Sequence, residues 1–326
     1  MLDIQYRMHP TISSFPSHEF YDCELRDGTV DETGKVVPGL VPPESRIYPE
    51  LQRVSGPSPL GVGTDLGRFG ADGRPSVVFL DHVGNETIKD RSRINWTDVH
   101  IVCSLVEDLL LRNPSLTGSQ IGIIAPYAAQ ITLLARCLTI DKNFVERFKS
   151  VLGPQRAAEL ANVEVKTVDG FEGREKEVII FSTVRNNAGG HIGFLADKRR
   201  LNVGLTRAKR GLFVVGSIST LKIGKGRISA AQAAGIDETE DLRDGREEGE
   251  NVVEPVNAPA KKRKKMSKTA QGSEAWRNYV AFLQREQLVV KLDTIRQYRL
   301  IYGNMEEILG PAEVHLTMHD PKVKIV

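Results

Sequence analysis

Short, continuous apolar runs separated by helical stretches constrain this chain more than any other feature. Val77 to Asp81, Ile121 to Pro126, Val163 to Val168, Val178 to Val184 and Leu212 to Val215 all have strand length. Most of them are apolar without alternation, as expected of strands buried on both faces in a parallel sheet. Between them run helical periods. One spans Trp96 to Leu111 through Val99, Val102, Val106 and Leu109, and Pro114 closes it. Another spans Tyr127 to Leu138 through Ile131 and Leu134. Strands alternating with helices define an α/β fold of three layers, helices covering both faces of a mostly parallel sheet. Right-handed crossovers then lead us to expect the functional loops at the carboxyl ends of the strands.

Other segments break this pattern. Residues 29–73 are rich in Gly, Pro, Ser and charge and read as an irregular surface excursion, and 141–161, polar and broken at Gly153-Pro154, as a helical insertion. Past Leu221 the chain turns acidic from Ile236 to Glu254 and then basic at Lys261 to Lys265, so 223–272 is expected to be a disordered linker. Helical period returns over Glu274 to Leu292 through Trp276, Tyr279, Leu283 and Leu288, which makes 273–326 a small helical tail on a main domain of 1–222.

Charge is balanced, 44 Lys plus Arg against 42 Asp plus Glu, so any nucleic-acid partner has to be read from the distribution of charge. Cys23, Cys103 and Cys137 are isolated, which argues against a zinc site or a disulfide scaffold and for a reducing compartment. No apolar run reaches the length of a membrane span, and the first residues lack the pattern of a signal peptide. The basic cluster Lys261 to Lys265 reads as a nuclear-import signal, with a cytoplasmic location as the alternative.

The most distinctive local feature is Arg200 to Arg210, which reads as one cationic helix with Asp197 as N-cap and Gly211 as its stop. Leu201, Leu205 and Ala208 would then face the sheet, with Arg200 and Arg207 about two turns apart on an adjoining flank and Gly204 between them. Guanidinium forks match phosphate oxygens, so this flank suits a polyphosphate. Further candidates surround it. The loop Asp169 to Glu175 has Gly170 and Gly173 for close approach and Glu175 for sugar hydroxyls, with Thr167 before it able to hold a phosphate. Pro126-Tyr127 opens a helix, whose amino end attracts anions. Tyr6-Arg7 sets an aromatic ring beside a cation, suited to a base and a phosphate. No phosphate-binding GxxxxGK[ST] loop occurs: Gly224-Lys225-Gly226 lacks the upstream Gly and the hydroxyl, and Gly56 to Gly63 lacks the Lys. Asp81 is followed by His82 rather than by a second acid, a poor start for a magnesium site.

Four segments together resemble the superfamily-one helicases of the Upf and Sen type. They are LDIQYRMHP at Leu2 to Pro10, IGIIAPYAAQ at Ile121 to Gln130, VKTVDGFEGREKEVIIFSTVRNN at Val165 to Asn187, and GFLADKRRLNVGLTRAKRGLFVVG at Gly193 to Gly216. The resemblance covers Leu2 to about Leu221 and implies the second of the two RecA-like domains in such an enzyme, beginning where the first would end. It implies ATP and Mg in a cleft between the domains, single-stranded RNA or DNA across both, and a first domain that supplies the phosphate loop and magnesium carboxylates. By matching position, Arg207 is the arginine finger on the γ-phosphate, Arg7 a second phosphate contact and Tyr6 a neighbour of the base. Glu175, with Gly173 beside it, is the ribose partner, while Pro126, Tyr127 and Thr167 border the nucleic-acid path. Two positions depart from the family pattern: Glu172 stands for Gln, and Gly204 for Ala. Such a chain alone is not expected to hydrolyse ATP. Two alternatives stand beside this reading, a non-enzymatic nucleic-acid- or protein-binding module derived from a helicase, and a truncated gene model of a whole one.

Overall fold

A computed structural model describes residues 3–33, 35–48, 74–225 and 267–310. The chain opens with β1 (Ile4–Gln5), α1 (Pro10–Phe20) and β2 (Arg26–Asp27), the two short strands pairing in parallel. Then come β3 (Val77–His82), a hairpin of β4 (Thr87–Lys89) and β5 (Ser92–Ile94), α2 (Trp96–Arg112), β6 (Ile121–Ala125) and α3 (Ala128–Thr139). The polar stretch expected to be helical forms α4 (Lys142–Leu152), α5 (Pro154–Ala157) and a 3-10 turn, divided at Gly153 with φ 76°. β7 (Glu164–Thr167), β8 (Lys176–Ser182), α6 (Lys198–Leu205), β9 (Ala208–Gly216) and α7 (Ile218–Ile223) complete the first part. After residues 226–266, which are outside the description, come α8 (Lys268–Arg285), β10 (Val289–Leu292) and α9 (Thr294–Leu309). Most of the expected linker and the basic cluster Lys261 to Lys265 therefore lie outside the described residues.

The main sheet has six strands in the order β10-β3-β9-β8-β6-β7, every neighbouring pair parallel. Successive residues of each central strand feed opposite layers. Val78, Leu80, Ile121, Ile123, Val178, Ile180, Phe213 and Val215 join the core beneath α2, α3 and α4. Val77, Phe79, Ile179, Phe181, Leu212 and Val214 join the one beneath α1, α6 and α8. This is the three-layer α/β arrangement of a RecA-like domain, and it explains why these strands read as apolar without alternation.

Three local expectations are corrected. The cationic helix ends at Leu205 instead of Arg210: Thr206 closes it, with its amide bonding to Asn202 and Val203 carbonyls, and Ala208 already lies in β9 opposite Lys176 of β8. Sheet pairing along a nine-residue strand outweighs the helix preference of Ala, Lys and Arg. Arg200 and Arg207 therefore share no helix flank. Secondly, the helix expected over 274–292 stops at Arg285, Gln287 turns with φ 56°, and Val289-Val290 enter the sheet beside β3. Finally, α8 starts inside the stretch expected to be linker, where Ser267 caps it by accepting from the Ala270 amide at 3.2 Å.

These C-terminal elements are built into the core. Trp276, Tyr279 and Leu283 are buried with Phe181 and Leu201, and the Trp276 indole donates to the Leu195 carbonyl at 2.6 Å. The described part of the 29–73 excursion also packs inward, with Ile47 and Tyr48 buried and Ser45 Oγ donating to Asp108 at 2.7 Å. On the other face, Arg147 of α4 makes two 2.9 Å bonds to Glu107 of α2, and both side chains are buried. Gly204 has a packing reason: a Cβ there would stand 2.7 Å from the Phe181 ring. Among the described residues no helix is long and apolar enough to cross a membrane.

Candidate functional site

The candidate residues separate to opposite edges of the sheet. Glu175 immediately precedes β8, and Arg207 immediately precedes β9. Because the strands are parallel, both lie at the amino edge. Tyr6-Arg7, just after β1, join them there: the His9 amide donates to the Lys209 carbonyl at 2.7 Å and docks the N-terminal segment onto β9. Of the candidate residues, only Pro126, Tyr127 and Thr167 lie at carboxyl ends of strands, where the functional loops were expected. The chain crosses from one edge to the other twice, through 168–175 and through α6, so residues read as neighbours of a single loop face opposite ways.

At the amino edge, Glu175 sits between two cations. Arg7 Nε donates to its Oε2 at 2.7 Å and Lys209 Nζ lies 3.2 Å from its Oε1, and these bonds, the one from Arg7 foremost, hold the carboxyl below its usual range. Arg7 also donates to the Thr206 carbonyl at 3.0 Å. Tyr6, 74% exposed, stands at the rim of an open pocket of about 500 Å³ that it shares with Arg7, Glu175, Lys209, Gly39 and Leu40. A larger cavity of about 910 Å³, between α1 and α8, contains none of the candidate residues. Gly173 has φ 74° and open space where a side chain would stand. It turns the chain from the 3-10 turn Asp169–Phe171 toward β8.

Arg207 is held without a charge partner. Its Nε donates to the Val203 carbonyl at 3.1 Å, one Nη to Thr206 Oγ1 at 2.8 Å and the other to the Arg174 carbonyl at 3.4 Å. Among the described residues no carboxylate lies within ion-pair distance of it. Burial, and then the charge of Arg7, pull its pKa down, while Tyr21, Glu172 and Glu175 act on it in the opposite sense. Arg200 has the contrary environment. Its guanidinium grips both oxygens of Asp169, at 3.0 and 2.8 Å, and lies over the Phe194 ring.

At the carboxyl edge, Tyr127 is buried: its hydroxyl accepts from Arg185 at 3.0 Å and its ring packs edge-on against Phe194. What this position can offer a passing strand is backbone rather than an open aromatic face. Pro126 and Thr167 are half-buried, and Thr167 Oγ1 accepts from the Gly170 amide at 3.2 Å. Sequence reasoning missed Glu86, Asp98 and Arg185. Glu86 accepts from Arg185 Nε at 2.9 Å, from the Asn186 amide at 2.8 Å, from Asn187 Nδ2 at 3.2 Å and from Arg93 at 2.9 Å. Through Arg185 and Tyr127 it joins the ends of β3, β8 and β6. Val184 between them has φ 66° and forms a γ-turn, the Arg185 amide donating to the Thr183 carbonyl at 2.7 Å. Such a turn is strained for a β-branched residue, and α2 clamps it: Asp98 accepts from the Val184 amide at 3.0 Å and Asn95 donates to its carbonyl at 3.2 Å. Nothing in the sequence marked Glu86, Arg185 had only its place just after an apolar run, and Asp98 only its place in the first turn of a helix.

The donors at the amino edge fit a polyphosphate, since Arg7 and Arg207 bring two guanidiniums to one place. No group of three His, Cys, Asp or Glu able to hold a metal occurs among the described residues, and Asp81, half-buried, accepts from the Ile218 amide at 2.8 Å.

A fully parallel sheet between two helical layers, with arginines converging at one edge, defines a RecA-like α/β domain. Residues 1–219 match the family model described as an AAA domain, and the chain belongs to that family, in its superfamily-one helicase branch of the Upf and Sen type. It is 39% identical over 226 residues to "Probable helicase MAGATAMA 3" of Arabidopsis thaliana, covering 68% of this chain and 23% of that protein. It is 34% identical to "Helicase sen1" of Schizosaccharomyces pombe, over 68% of this chain and 11% of that one. It is also 34% identical to "Regulator of nonsense transcripts 1 homolog" of Arabidopsis thaliana, over 68% and 14%. The matched region thus spans between about a tenth and a quarter of these relatives.

Proposed function

We propose that this chain is the second RecA-like half of an ATP-dependent RNA or DNA helicase. The observation that carries the reading is Arg207, a half-buried guanidinium with no carboxylate partner among the described residues, next to Arg7 and an open pocket. Arg207 acts as the arginine finger when the domain closes on a first RecA-like domain, in cis or in trans. Arg7 gives a second phosphate contact, Tyr6 flanks the base and Glu175 takes ribose hydroxyls. Glu175 is bound to Arg7 and Lys209 in the free domain, so engaging a nucleotide means that Arg7 turns from this carboxylate to a phosphate. Bound ATP with Mg supplies the phosphoryl group to be transferred, and the metal's carboxylates come from the other domain. Pro126, Thr167 and the backbone at Tyr127 border the path of a single strand along the opposite edge.

Two results are expected from the purified chain. It shows no nucleic-acid-stimulated ATP hydrolysis, and it binds single strands weakly, with little sequence preference and a shallow dependence on salt, because half a channel makes few phosphate contacts. Turnover that vanishes in Arg207→Ala would mean that the site is complete within the chain, against the reading as a half. Absence of strand binding at low salt would remove the nucleic-acid path and favour a protein-binding module.

The proposed location is nuclear. Replacing Lys261 to Lys265 by alanine in a tagged chain is expected to shift it to the cytoplasm, and an unchanged distribution refutes the signal.

A further inference from the structure

The parallel ladder between β8 and β9 is broken once, at the amino edge. Lys176 pairs with Ala208, but the next pair is Val178 with Gly211, so β9 takes three steps where β8 takes two. The extra residue makes a β-bulge and leaves Lys209 and Arg210 together opposite Glu177. In an unbroken ladder neighbouring side chains point to opposite faces, and one of the two cations would be turned away. Here both reach acids of the neighbouring chain. Lys209 Nζ lies 3.2 Å from Glu175 Oε1 and 3.5 Å from Glu177 Oε1, and Arg210 Nε donates to Glu177 Oε2 at 3.1 Å.

The bulge also fixes the walls of the pocket. Its Lys209 carbonyl accepts the His9 amide at 2.7 Å, which docks the segment carrying Tyr6 and Arg7. Arg210 reaches on to the Val41 carbonyl at 3.1 Å, next to the 3-10 turn Pro38–Leu40 that lines the pocket. The outcome is a row of alternating charge: Arg7, Glu175, Lys209, Glu177, Arg210. Arg7 stands at the end of the row, beside Arg207. Once Arg7 turns to a phosphate, Glu175 would be left as a bare carboxylate close to a polyanion, and like charges repel. Lys209 is the cation that remains on it, and Glu177, itself held by Arg210, keeps Lys209 from following Arg7 toward the phosphate.

We propose that Lys209 is a positioning residue of the nucleotide pocket: it holds Glu175 toward the ribose while Arg7 changes partners. The bulge is what puts it there. With Glu175 so held, the pocket prefers nucleotides that carry both ribose hydroxyls over those that carry none. The proposal rests on the reading of the amino edge as the nucleotide site.

The test is equilibrium dialysis of the whole chain with ATP and with 2′,3′-dideoxy-ATP, both with magnesium. The wild-type chain is expected to prefer ATP. Lys209→Met is expected to bind ATP about fivefold more weakly, the worth of one partly exposed ion pair, and to lose that preference. Lys209→Arg should keep both affinity and preference, and the melting temperatures of the two variants should match the wild type, because this side chain is partly exposed. A second readout needs no nucleotide. The carboxyl carbon resonance of Glu175, assigned by its loss in Glu175→Gln, should still titrate below the ordinary carboxylate range in Arg7→Met. It should return to that range only when Lys209→Met is added. If Arg7→Met alone restores the ordinary titration, or Lys209→Met binds and discriminates like the wild type, the role of Lys209 falls and the nucleotide site stands. If the wild-type chain binds no nucleotide, or both alike, the reading of Glu175 as ribose partner fails, and the role of Lys209 falls with it.

Discussion

With a phosphate-loop domain supplied, Arg207→Ala is expected to lower kcat by about 10³-fold or more, with ATP binding and the fold largely kept. An arginine finger that neutralises charge developing on a transferred phosphoryl group is worth roughly 10³–10⁵ in rate. Arg207→Lys should lose most of the same factor, because a point charge cannot replace a planar fork. The fold should survive, since Arg207 bonds only to two carbonyls and a hydroxyl within its own neighbourhood. Arg200 provides the contrast. It is bound in two prongs to Asp169 and stacked on Phe194, so Arg200→Lys is expected to lower the melting temperature, with a smaller effect on rate. Single-turnover hydrolysis and thermal melts of both variants decide the matter. If the two substitutions act alike on stability and on rate, Arg207 is no finger.

The largest effect on stability is expected at Arg147. Its guanidinium is buried against Glu107 by two 2.9 Å bonds, donates to Ser104 Oγ at 3.1 Å, and shares Glu107 with Asn304 Nδ2 at 3.2 Å. Arg147→Ala leaves a carboxylate buried without its cation, and breaking a buried pair in this way costs about 3–5 kcal/mol. Replacing both members by apolar residues, Arg147→Met with Glu107→Leu, removes the stranded charge and should recover much of that loss. Denaturant midpoints of the single and double variants provide the check. A single variant within about 1 kcal/mol of wild type would show that water reaches the pair.

The layered fold was legible because burial on both faces writes itself into consecutive residues, as in Val77 to Leu80 and Val178 to Phe181. The end of α6 was not. Arg207 to Arg210 favour helix locally, and only the pairing of Ala208 with Lys176, distant in sequence, overrides them. β10 escaped for a related reason, since Leu288 falls in phase with the helix before it and only the neighbouring β3 makes Val289-Val290 a strand. At the site, the resemblance to the Upf and Sen helicases was what joined Arg7, Glu175 and Arg207 into a set, and the structure brings these three together. Their edge of the sheet was not readable, because a loop sequence does not say which way its chain crosses. Glu86 was invisible in the sequence: a single acid in a polar stretch acquires its meaning only from Arg185, about 100 residues away.

The order of the strands also bears on how the domain is made. β3 lies between β9 and β10, so on an emerging chain its first partner appears only after residue 208 and its second after residue 289. Until α8 and β10 leave the ribosome, one flank of β3 and the apolar bed for Trp276 and Tyr279 remain uncovered. The family match ends at residue 219, but the sheet does not. Synthesis must therefore run past the acidic and basic stretch before the sheet is complete, and until then the incomplete chain presents an unpaired strand edge.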